Sequence, residues 1–117
     1  MRVELDLDVD GCVVAINAAG HAQLRGEQSL SCGIVSSALR SFGLWVLDQP
    51  GLLPQGNASQ PGDLFLQIRR LGSPPAGQFS APIEKLLGAS QLLVRLLEDL
   101  QREFPTDIQL VKNIEEK

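Results

Sequence analysis

Near the N-terminus Val3, Leu5, Leu7 and Val9 alternate with Glu4, Asp6 and Asp8, the period-two pattern of a half-buried β-strand. Asp10-Gly11 follows as a tight-turn signal. The run Cys12-Val13-Val14-Ala15-Ile16-Asn17 is rich in β-branched residues and predicts a second strand. The two runs predict an N-terminal hairpin. From about Ala18 to Ser31 the pattern lapses into glycines, serines and polar residues, which predicts a loop.

A helix is then predicted to start near Cys32. Ile34, Val35, Ala38, Leu39, Phe42, Trp45 and Val46 recur at three- and four-residue steps. Ser29 or Ser31 is the expected N-cap, and Pro50-Gly51 stops the helix. Gly33, in its first turn, predicts a close backbone approach. Residues 50–62 hold three prolines and three glycines and predict a connection with room for one short edge strand. Asp63 to Leu71 predicts a strand, and Gly72 to Gly77 a second loop. A Leu-rich helix runs from Ser80 or Ala81 to Glu103, with Ile83, Leu86, Leu87, Leu93, Leu96, Leu97, Leu100 and Phe104 on its apolar side. Pro105 ends it, a last strand around Ile108 and Leu110 follows, and Ile114 to Lys117 is expected to fray. The order predicts one domain over residues 1–117. Its class is α+β: a two-layer sandwich, with a mixed or antiparallel sheet of four to five strands and two helices on one face.

Composition narrows what such a domain does. With 14 acidic against 10 basic residues the net charge is −4, which disfavours direct nucleic-acid binding and suits a basic protein partner. The first residues lack the basic and apolar runs of a signal peptide. The longest uninterrupted apolar stretches fall short of the roughly 18 residues of a membrane span. The expectation is a cytoplasmic protein without a membrane partner, its two cysteines reduced. One histidine and two cysteines do not fill a zinc site without carboxylates, and no cofactor is expected. Asp6, Asp8 and Asp10 read as a solvated strand face in preference to a metal cluster.

The reactive groups are therefore few. His21 is the only histidine. Cys32 follows eleven residues later, where a helix is predicted to open; free N–H groups there favour a thiolate, and a neighbouring imidazole would share its proton. The spacing equally fits a small buried thiol that does no chemistry. Ser36 shares the helical face of Cys32. Cys12, in a strand beside a turn, is expected to pack, and no resolving cysteine is obviously placed for a redox sensor.

Gly20-His21-Ala22, Gly26, Cys32 and Ser36, with the ending Leu100-Gln101-Arg102-Glu103-Phe104-Pro105 and a short last strand, resemble the ribosomal-processing cysteine protease family. The resemblance covers nearly the whole chain. It implies an α+β homodimer without cofactor or metal, which removes a short N-terminal extension from a basic substrate, large-subunit ribosomal protein twenty-seven. It implies Cys32 as nucleophile and His21 as general base and later general acid. Gly20 would permit the turn that presents His21, helix-start N–H groups would bind the oxyanion, and Ser36 would support the site or the substrate. Two features depart from the family pattern. The histidine-to-cysteine loop is one residue shorter, and Ser29, in Ser29-Leu30-Ser31-Cys32, stands where the family carries an acid, with Glu27 nearby. The alternative is a non-catalytic peptide-binding or ribosome-assembly factor of the same fold.

Overall fold

The computed structural model describes residues 1–19, 27–57, 64–70 and 81–115. Seven elements follow in order: β1 (Arg2–Leu7), β2 (Val13–Ala19), α1 (Glu27–Leu47), β3 (Leu52–Asn57), β4 (Leu64–Arg70), α2 (Ala81–Glu103) and β5 (Gln109–Ile114). The strands form one mixed sheet in the order β3-β4-β2-β1-β5. Neighbours pair antiparallel except at one edge, where β5 runs parallel to β1. The predicted α+β class and the optional edge strand, β3, are both present.

Alternation dictates which face is covered. Val3, Leu5 and Leu7 of β1, Val13, Ile16 and Ala18 of β2, and Leu66 and Ile68 of β4 are buried in one core with both helices. On the other face Asn113 donates to Glu4 and Asp6, and Phe65 is exposed. From α1 the core takes Val35, Leu39, Phe42 and Val46; from α2 it takes Ile83, Leu86, Leu93, Leu97 and Leu100. Trp45, half-buried, stacks on Phe42 with ring centroids 6.3 Å apart.

Several boundaries differ from expectation for local reasons. β1 ends at Leu7, because the Asp8 carboxylate accepts from the amides of Asp10 and Cys12 at 3.0 and 2.9 Å and folds the chain into a turn. Val9 is thereby exposed, while Gly11 takes φ 94°, a value that disfavours any side chain. Ile114 is no frayed end: it closes β5 against Leu7, and the Glu115 amide donates to the Leu7 carbonyl at 2.9 Å. Ile34 and Leu96 are exposed instead of buried, since each helix lies on a narrower stripe than its apolar residues define. A Cβ at Gly33 would meet nothing within 4 Å, so the close approach expected there is absent among the described residues.

The expectation about membrane-spanning length also needs correction. Within α1, Leu30–Leu47 is long and apolar enough to cross a membrane by length and composition, with a mean hydropathy of 1.4. No unbroken apolar run revealed it, because serines and glycines dilute the stretch without charging it; Arg40 is its only charge. One side of this helix packs on the sheet as a core helix does.

Candidate active site

Cys32 is fully buried, on the α1 stripe that faces the sheet. Helix α1 begins at Glu27, five residues before the thiol, because Glu27-Gln28-Ser29-Leu30-Ser31 contains neither glycine nor proline to stop it. The helix-start position expected for Cys32 is therefore corrected to the second turn. The free amides of a helix belong to its first four residues, here 27–30, so the N–H of Cys32 is no open oxyanion donor. The same extension places both Ser29 and Ser31 inside the helix, and neither is its N-cap.

Ser31 is fully buried and its hydroxyl donates to the Asp107 carboxylate, Oγ to Oδ2, at 3.3 Å. Asp107 lies in the turn between α2 and β5. Its main-chain carbonyl accepts from the Met1 ammonium at 2.6 Å, and Thr106 donates to its Oδ1 at 3.3 Å. The parallel register fixes this meeting: Arg2 pairs with Gln109, and the Gln109 amide donates to the Met1 carbonyl at 2.9 Å. Thus the start of β1, the turn before β5 and the N-terminal turns of α1 meet at Cys32.

Burial pushes the Cys32 thiol above its ordinary value, because a thiolate loses hydration there. The Met1 ammonium pulls the other way, as does the Ser31 hydroxyl, and the Asp107 carboxylate pushes the thiol further up. The thiol is therefore protonated near neutral pH, and its use as a nucleophile requires a base.

Beside this junction opens a groove of about 990 Å³, lined among others by Met1, Ala19, Glu98, Gln101, Asp107 and Ile108. Ala19 directly precedes Gly20 in the sequence. Ser36 lies one helical turn beyond Cys32 and is half-buried. Gly20, His21, Ala22 and Gly26 lie outside the described residues, as does the side chain of Ser29.

Elsewhere, Cys12 packs fully buried, its Sγ 3.9 Å from the Ile83 carbonyl oxygen. No group of three histidine, cysteine, aspartate or glutamate side chains is placed to hold a metal among the described residues. Asp6 and Asp8 instead bind the Asn113 amide and the turn amides.

The arrangement is an α+β sandwich with a buried thiol at one end of its sheet, next to an open groove. No family model and no curated protein matches the sequence. Solved structures do match in fold. The essential ribosomal processing protease Prp from S. aureus, in complex with a substrate peptide, superposes with a TM-score of 0.73 at 17% identity, over 96% of this chain and 98% of that one. The same protease with a covalently linked product peptide gives 0.70 at 15%, over 96% and 98%. A Streptococcus mutans protein gives 0.70 at 14%, over 97% and 94%. At such identities the shared property is the fold, a five-stranded mixed sheet carrying two helices.

Proposed function

We propose that the protein is a cysteine endopeptidase that removes a short N-terminal extension from a basic large-subunit ribosomal protein, ribosomal protein twenty-seven. Cys32 is the nucleophile, His21 the base that takes its proton and later returns it to the leaving amine, and Ser36 a supporting group. Gly20 allows the turn that carries His21, and Ser29 is a substrate-binding or supporting group. The observation that carries this reading is end-to-end fold similarity to a protease solved with substrate and with covalently linked product. It is joined to Gly20-His21-Ala22, Cys32 and Ser36 at their spacing in this sequence. A buried thiol held protonated suits the pair, since its proton must pass to a base before attack. The charge of −4 suits a basic substrate in the cytoplasm and no direct nucleic-acid partner.

The working form is a homodimer built on α1. Leu30, Ile34, Ser37, Ser41 and Leu44 are all exposed and recur at alternating four- and three-residue steps, the seam of a helix pair. Leu30 and Leu44 stand equally far either side of Ser37, so two antiparallel copies would match leucine at each end and small residues at the centre. A two-fold interface demands that self-complementarity.

The test is incubation of the protein under reducing conditions with a peptide spanning the extension and mature start of the ribosomal protein, read by mass spectrometry. Cleavage is expected with the wild type and is lost in both Cys32→Ala and His21→Ala, each still folded. An intact peptide with the wild type, together with peptide binding unchanged in Cys32→Ala, replaces this reading with that of a non-catalytic binding factor.

A further inference from the structure

Ser31 is buried immediately before the thiol, and the Asp107 carboxylate that accepts its proton comes from a turn 76 residues further along the chain. The Asp107 carboxylate receives the Ser31 hydroxyl at 3.3 Å and its carbonyl the Met1 ammonium at 2.6 Å. An ordinary turn before a strand does not require an acid here: the backbone bonds of the turn, from the amides of Asp107 and Ile108 to the Phe104 carbonyl, are independent of the side chain. The carboxylate is half-buried and turned toward α1, where desolvation costs free energy unless hydrogen bonds offset it. Its partners bracket Cys32.

We propose that Asp107 is a positioning residue for Cys32, its carboxylate holding Ser31 and its carbonyl the Met1 ammonium, so that three separate elements are locked around the thiol. The inference rests on the reading of Cys32 as the nucleophile. Asp107 does not touch the reacting atoms; it acts through Ser31 and through its field. Among the described residues, the charged groups facing the thiol are the Met1 ammonium from the start of β1 and Asp107 from the α2–β5 turn, with Ser31 polar on the same helix. The two members of the hydrogen-bonded pair act on the thiol in opposite directions. Asp107 disfavours the thiolate by like charge, and the single Ser31 proton, held by Asp107 beside the neutral thiol, favours the thiolate when it turns from the carboxylate to the sulfur. With Asp107 in place, the thiol is held protonated until a base acts on it.

The experiment is the rate of Cys32 alkylation by iodoacetamide against pH in the full chain, followed by mass spectrometry of the Cys32 peptide. It needs no substrate, so it gives an answer whether or not the protein cleaves peptides. Asp107→Asn is expected to move the alkylation midpoint to lower pH and to speed the reaction at neutral pH. Ser31→Ala is expected to move the midpoint to higher pH. Asp107→Glu, keeping the charge, is expected to restore a midpoint close to the wild type. A merely structural brace predicts lower melting temperatures for these variants with all midpoints unmoved, and that outcome overturns the proposal. If Asp107→Asn does not fold, the opposed comparison of Ser31→Ala with Asp107→Glu decides: equal midpoints in these two and the wild type overturn it as well.

Discussion

The amide of Val13 donates to the hydroxyl of Ser90 at 2.8 Å, a bond between residues 77 apart in the chain and fully buried. Val13 opens β2 beside the bulge that disturbs the β1–β2 register. Its N–H is served there by the middle of α2. Ser90 falls in the buried stripe Ile83, Leu86, Ser90, Leu93, Leu97, Leu100, a polar residue at a core position with a specific partner. Ser90→Ala leaves that N–H unpaired and is expected to destabilise the fold by about 1–3 kcal/mol. A lower urea midpoint with an unchanged slope would show it.

Two glycines predict opposite responses to alanine. A Cβ at Gly56 would lie 2.7 Å from the Phe65 carbonyl oxygen, so Gly56→Ala must push edge strand β3 off β4. A Cβ at Gly88 would meet nothing within 4 Å on the exposed side of α2, and Gly88→Ala is expected to stabilise by up to roughly 1 kcal/mol. Thermal unfolding of the two variants should move in opposite directions, with hydrogen exchange in Gly56→Ala fastest along β3.

Stability should depend on pH through Cys32. Its folded-state value is raised, burial being the leading cause. The folded protein therefore keeps a proton that the unfolded chain gives up at the ordinary cysteine value, about 8.5. The contribution of the neutral thiol is whole below that value and is lost as pH climbs through the folded-state value. Melting temperatures of the wild type should fall relative to Cys32→Ala as pH rises from 7 into the alkaline range; parallel curves would refute the shift.

The α1 seam predicts its own disruption. Leu44→Glu puts a charge at each end of the proposed antiparallel pair and costs the folded monomer little, since Leu44 is 63% exposed. Sedimentation should report a dimer for the wild type and a monomer for the variant. A wild-type monomer that associates with neutral lipid vesicles would assign the stripe to a membrane instead.

Most of the fold is legible in periodicity. Alternation marks β1, and heptad-like leucines mark α2 almost to the residue, since strong local pattern and tertiary burial agree there. The errors cluster where backbone chemistry overrides pattern. Val9 continues the alternation of β1, yet the Asp8 side chain bends the chain before it. Glu27 to Ser31 reads as polar loop because Leu30 is its single apolar residue, but nothing in it opposes a helix seeded by the apolar stripe that follows. At the candidate site, Cys32 is visible through its spacing from His21. Asp107 is not, because its meeting with Ser31 and Met1 follows from β5 lying parallel to β1, and no local signal encodes which strand becomes a neighbour. A hint lies in Pro105-Thr106-Asp107, an acid at a strand start after a helix stop, but that pattern is common at turns.

The parallel pairing of β1 with β5 sets an order of events during synthesis. Strand β1 has β2 on one side and waits for its other neighbour until residues 109–114 have emerged. Contacts this distant in sequence form late. Met1 meets Asp107 across 106 positions, so a nascent chain halted after α2 contains Cys32, Ser31 and Met1 without the Asp107 that joins them. Residues 107–114 must be made before the thiol acquires its setting, and a chain cut before them is therefore expected to lack whatever activity Cys32 confers, however well its hairpin and first helix fold.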